Sequence, residues 1–176
     1  MDIELLKYPI GKFHKPETIA DDSIKEAIET IKSFPANLFT AVSPLSIEQL
    51  NTPYRPGGWT VRQLVHHCAD SHMNAFIRFK LALTEENPTI KPYDEAAWAN
   101  LADAELPIES SLAIIKAIHK KWGVLLDSMK EEDFKKTYFH PEKQRSQELE
   151  EITLIYAWHS THHLAHIQHL VLREKW

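Results

Sequence analysis

From Leu149 to Trp176 the chain has neither Gly nor Pro, and its apolar residues return every three or four positions, so this stretch reads as one long α-helix. Five of the eleven histidines fall inside it: His159, His162, His163, His166 and His169. At ~100° per residue, His159, His163 and His166 lie within about 60° of one another, on the stripe that also carries Ile152, Tyr156 and Leu170. The histidines therefore continue a core-facing stripe. A buried neutral imidazole needs partners for its ring nitrogens, and a buried charged one is costly. A shared cation would satisfy several at once. Two His at i and i+4 project side by side, as in the helical zinc motif H-E-x-x-H, and both His159/His163 and His162/His166 have that spacing. The plainer alternatives are a hydrogen-bonded polar core and a pH-responsive face.

A second cluster lies upstream. Asn51-Thr52-Pro53-Tyr54-Arg55-Pro56-Gly57-Gly58 is the strongest loop signal in the chain, and it ends at Trp59-Thr60-Val61-Arg62-Gln63. Thr60 as N-cap with Gln63 three residues on fits a capping box, which opens a helix expected to run to about Glu85. Val61, Leu64, Val65, Cys68, Ala75, Phe76 and Phe79 form its apolar face. Thr60, Gln63, His67, Asp70, Ser71, Asn74 and Arg78 share another, without the Lys/Glu alternation of a solvated face, and read as one wall of an internal polar pocket. Of His66, His67 and His72, periodicity places His72 on the apolar face, His66 nearly opposite it, and His67 on the polar wall. That placement favours His67 as a ligand but does not by itself decide among the three.

Elsewhere the periodicity predicts a helix over 18–43 with Pro35 as a kink or seam, a short turn of helix at 46–50, and a short helix over 93–102 carrying Trp98. A further helix is expected from Pro107 to about Met129, with Leu112, Ile115, Ile118, Trp122, Leu125 and Leu126 inward and His119, beside two lysines, at the surface. Residues 1–16 read as an extended arm packed on the body through Leu5, Leu6, Tyr8, Ile10 and Phe13. Residues 130–146 read as a polar connection with a short extended piece at Thr137-Tyr138-Phe139.

A chain of 176 residues suits one domain spanning 1–176. Four glycines favour long helices over a many-turned sheet, and the lone Cys68 excludes both a disulfide framework and a Cys-rich zinc finger. With no secretory signal at Met1-Asp2-Ile3-Glu4 and no run of eighteen apolar residues, the expectation is a cytoplasmic protein that does not enter membranes. A formal net charge of -5 opposes nucleic-acid binding.

Taken together, Arg55-Pro56-Gly57-Gly58-Trp59-Thr60, His66-His67-Cys68-Ala69-Asp70-Ser71-His72 and Trp158-His159-Ser160-Thr161-His162-His163-Leu164-Ala165-His166 resemble the DinB/YfiT-like superfamily of metal-dependent enzymes. Within it the likeness is greatest to the YfiT-type metal-dependent hydrolases, and it covers essentially the whole chain. The resemblance implies an all-α four-helix bundle, commonly a homodimer, with one divalent ion per chain held at one end of the core. It places the ligands at His67, His159 and His163, and leaves His162, His166 and His72 around them.

Three imidazoles suit zinc, nickel or another borderline divalent metal and leave positions for water or a small-molecule substrate. Such a site can activate water and polarise a carbonyl or phosphoryl oxygen, which is the hydrolase expectation. No H-E-x-x-H glutamate stands between the paired histidines, so Asp70, Tyr156 and His166 are the candidates for proton transfer or for orienting the ligands. The same ion would also bind a thiolate, and family members are similar to S-transferases that use a low-molecular-weight thiol such as bacillithiol. A structural or metal-sensing bundle is the reading of another class, and it would favour a closed four-ligand site. A ferritin-like di-iron enzyme needs Glu-x-x-His pairs, and none occurs.

Overall fold

Four long helices carry the architecture of the computed structural model, which describes residues 3–176. In chain order the helices are α1 (Ile3–Lys7), α2 (Asp21–Val42), α3 (Ile47–Leu50), α4 (Val61–Thr84), α5 (Glu95–Trp98), α6 (Glu109–Ser128), α7 (Glu131–Phe134) and α8 (Leu149–Glu174). A 3-10 turn at Ala102–Glu105 precedes α6, and a hairpin of β1 (Thr137–His140) and β2 (Arg145–Glu148) precedes α8. The chain folds as the four-helix bundle that the family resemblance implies, built from helices that its periodicities predict. Helix α2 packs against α8 and α6, and α4 against the same two, so α2 and α4 face each other across the bundle.

Local chemistry sets where the helices begin. Thr60 Oγ1 accepts from the Gln63 N–H at 3.1 Å, while Gln63 Oε1 accepts from the Thr60 N–H at 3.0 Å, so the capping box satisfies two end groups of α4 reciprocally. Ser46 and Gln49 do the same for α3. Helix α2 starts at Asp21 rather than Thr18 and runs unbroken through Pro35. Pro107 stands two residues ahead of α6, not in its first turn. The hairpin extends the expected strand at 137–139 into an antiparallel pair, with Thr137 opposite Glu148.

Two apolar clusters fill the bundle. One gathers Ile31, Phe79, Trp122, Leu126, Tyr138 and Ile152; the other gathers Phe34, Leu38, Leu64, Val65, Ile115 and Ile167. His72 touches both, its ring 5.0 Å from Phe34 and 6.2 Å from Trp122, so a layer of imidazoles separates two hydrophobic halves.

Two further expectations need correction. The arm opens with the short helix α1, and Leu5 and Ile10 are exposed instead of packed, while Leu6, Tyr8 and Phe13 are partly covered. Met1 and Asp2 lie outside the described residues. His119 is buried, not at the surface, because it faces α2. Gly123, one turn along, makes that approach possible, since a Cβ there would stand 3.0 Å from Lys32 Cγ.

Candidate metal centre

His67 sits on α4 two turns after the capping box, and His159 and His163 sit one turn apart on α8. Packing of α4 beside α8 brings their rings together: His67 Nε2 is 3.3 Å from His159 Nε2, and His163 Nε2 is 3.1 Å from the same atom. One nitrogen from each of the three lies within 4.8 Å of the other two. Nitrogens at zinc distance and tetrahedral angle stand about 3.3 Å apart, so the spacing suits a common ion. Only one of two facing ring nitrogens can donate a hydrogen bond to the other. Three converging Nε2 atoms are therefore better served by a cation than by one another.

The electrostatics agree with that geometry. Burial pushes His67 down to about 4, and burial followed by the neighbouring imidazoles holds His159 and His163 well below the usual histidine range. Rings so depressed are neutral at pH 7, so none has to give up a charge before a metal binds. The indole of Trp59 lies 4.6 Å from the His67 ring and covers it, while His159 keeps partial exposure.

Asp70, one turn beyond His67 on α4, is half-buried, and burial together with Asp103 pushes its carboxyl up to about 6. The Tyr156 hydroxyl donates to the Ser71 carbonyl at 3.1 Å, and its ring lies 5.4 Å from His159. His166 Nε2 donates to the Lys7 carbonyl at 3.0 Å, and Tyr54 stacks on its ring at 4.0 Å. Of the wall predicted on α4, His67 and Ser71 are buried, while Thr60, Gln63, Asp70, Asn74 and Arg78 are half-buried.

The remaining histidines divide cleanly. His66 is satisfied away from the trio: its Nε2 donates to the Leu106 carbonyl at 3.0 Å, which leaves Nδ1 to accept from Ser111 Oγ at 2.7 Å. His162, His163 and His166 also bring three nitrogens within 4.8 Å, but all three come from one helix, and Trp158 stacks on His162. The trio with His67 draws on two helices and can close around an ion. His72 Nε2 lies 3.0 Å from His159 Nδ1, and His119 Nε2 lies 2.6 Å from His72 Nδ1. His119 stands at i+4 from Ile115 and i−3 from Trp122, so the apolar stripe itself could have placed it inside.

A sequence profile described as the DinB superfamily matches residues 30–167. A protein of Bacillus pumilus named "Putative metal-dependent hydrolase" is 48% identical over 97% of this chain and 98% of its own length. One of the same name from Bacillus cereus is 51% identical over the same shares. Among solved structures, YfiT from Bacillus subtilis superposes with a TM-score of 0.94 at 46% identity, covering 98% of this chain and 99% of that one. It is described as a probable metal-dependent hydrolase with an unusual four-helix bundle topology.

Proposed function

The chain belongs to the DinB superfamily, and on that premise we propose that it is a metal-dependent hydrolase of a small-molecule substrate, with His67, His159 and His163 holding one zinc or nickel ion. The observation that carries this reading is the convergence of three neutral Nε2 atoms from two helices. A divalent ion with three imidazole ligands and an open position supplies a Lewis acid that polarises a carbonyl or phosphoryl oxygen and makes water nucleophilic near neutral pH. Asp70 is the residue we assign to proton transfer. It neighbours His67 on one helix face, and a carboxyl pushed up to about 6 takes a proton readily under physiological conditions. Tyr156 and His166 have the donors named above already engaged by the Ser71 and Lys7 carbonyls, so their part is to hold α4 and the arm against α8.

A second reading has a specific support. Three neutral ligands leave the ion's charge uncompensated, which suits an incoming thiolate as well as water. Cys68 is fully buried and burial pushes its thiol up, so any such thiol must be a second substrate. That protein would be a thiol S-transferase. The proposal further expects a homodimer in the cytoplasm, which light scattering of the purified protein and fractionation of cells test.

The deciding experiment measures metal content of the wild type and of His163→Ala, then assays esters, amides and phosphoesters with and without a low-molecular-weight thiol. The hydrolase reading expects one ion per wild-type chain, strong loss in the variant, and turnover without thiol. Turnover only when thiol is consumed would replace it with the transferase reading. Equal metal in both proteins would remove His163 from the site.

A further inference from the structure

Pro35 lies in the interior of α2, where proline has no N–H to give to the carbonyl four residues back and its ring crowds that carbonyl outward. The carbonyl is that of Ile31, and His119 Nδ1 reaches it from α6 at 2.6 Å. The directions that follow are fixed one by one. A carbonyl oxygen only accepts, so His119 Nδ1 carries the hydrogen, and its neutral ring presents a bare Nε2. His72 Nδ1 stands 2.6 Å from that Nε2 and must donate, which bares His72 Nε2. His159 Nδ1 stands 3.0 Å from this last atom and donates in turn. The lone pair of His159 is thereby left on Nε2, the nitrogen that faces His67 and His163.

We propose that Pro35, His119 and His72 are positioning residues for the metal: the vacancy in the α2 hydrogen-bond ladder at Ile31 sets the tautomer and ring orientation of His159 through two intervening imidazoles. This rests on the three-ligand reading above. His72 and His119 are buried, and Phe34 packs beside both rings, at 5.0 and 5.5 Å, so neither has water as an alternative partner. Metal-ligating histidines ordinarily give their second N–H to a carboxylate, a carbonyl or water. Here the carbonyl acts at a distance of three rings, on the far side of the bundle.

The test uses nitrogen-15 histidine NMR on the metal-free protein and competition titration of zinc against a chromophoric chelator. In the wild type, His119, His72 and His159 should all show the Nδ1–H tautomer. His119→Phe removes the donor to Ile31 and the acceptor for His72; it should weaken zinc binding 10- to 100-fold, with one ion per chain still bound at saturation. Should that variant fail to fold, Pro35→Ala decides. It restores the missing N–H, so it should raise the thermal midpoint of the metal-free protein, shift the His119 Nδ1–H resonance, and weaken zinc severalfold. A merely structural role predicts no loss of affinity in a stabilised protein. An Nε2–H tautomer at His159 in the metal-free wild type, or zinc affinity within twofold of wild type in Pro35→Ala, overturns the proposal. Full zinc binding by His67→Ala would instead overturn the three-ligand reading, and the tautomers would still judge the line of rings by itself.

Discussion

Lowering the pH from 7 to 5 should cost the metal-free protein at least about 3 kcal/mol of stability, the share of two of its depressed histidines alone. His67 and His119 are each pushed by burial from 6.5 down to about 4, lie on different helices and make no hydrogen bond to each other. A histidine depressed in the folded state contributes stability that is complete above its unfolded value and is lost as the pH falls toward its folded one. For one such ring the loss between pH 7 and pH 5 is about 1.8 kcal/mol, and for two about 3.6 kcal/mol. Asp70 works in the opposite direction, because its carboxyl is raised to about 6 and the folded state gains its proton first. Being partly exposed, it returns well under 1 kcal/mol after screening. The net is a large share of the stability of a domain this size. Urea unfolding followed by tryptophan fluorescence measures it. With a slope of about 2–3 kcal/mol per molar, the midpoint should drop by at least about 1 M between the two pH values. With zinc present the loss should move to lower pH, since protons must then displace the ion. A metal-free midpoint unchanged from pH 7 to pH 5 would refute the claim that these rings are held neutral by burial.

Other outcomes follow from single contacts. Asp70→Asn should lower kcat/KM at least tenfold with metal content unchanged, and should abolish an acidic limb near pH 6 in the rate profile; an intact limb assigns proton transfer elsewhere. Glu151 is held at about 2 by the Arg145 guanidinium, opposed by burial and reinforced by Lys15, so its contribution is present above about 4.5 and fades as the pH falls toward 2. Glu151→Gln should cost about 1–2 kcal/mol at pH 7 by denaturant titration and much less at pH 2.5, the margin being modest because both cations are half-exposed. Trp122 is fully buried between Phe79, Tyr156 and His72, and Trp122→Ala should cost about 3–5 kcal/mol. Thr60→Ala removes the α4 cap and should cost about 1 kcal/mol, read as a lower thermal midpoint.

The parts of this molecule written in local chemistry could be read directly. The α4 capping box depends on two residues three apart, and the α8 run depends on the absence of Gly and Pro, so both elements were legible in the sequence. The pairing of His159 with His163 was legible for the same reason, because one helical turn brings them together. Which upstream histidine meets them was not, since that depends on how far α4 is rotated about its own axis, and only the resemblance to a known family selected His67 over His66 and His72. The lysines at 120 and 121 point to a surface position for His119, although Ile115 and Trp122 on either side of it mark the inward stripe. Its partner, the Ile31 carbonyl, is a backbone atom of another helix, and no side-chain pattern encodes it except the proline four residues later.

In the line from Ile31 to His159, every ring gives from Nδ1 and receives at Nε2. The dipoles of the three imidazoles and of the Ile31 peptide therefore add head to tail, with the negative end toward the proposed metal position. Four uncharged groups thus supply part of the field that acidic neighbours provide in other centres, and they do so from inside an apolar core where a carboxylate would be costly to bury. A doubly charged ion at the proposed site would be met by ligands and supports that carry no formal charge at all.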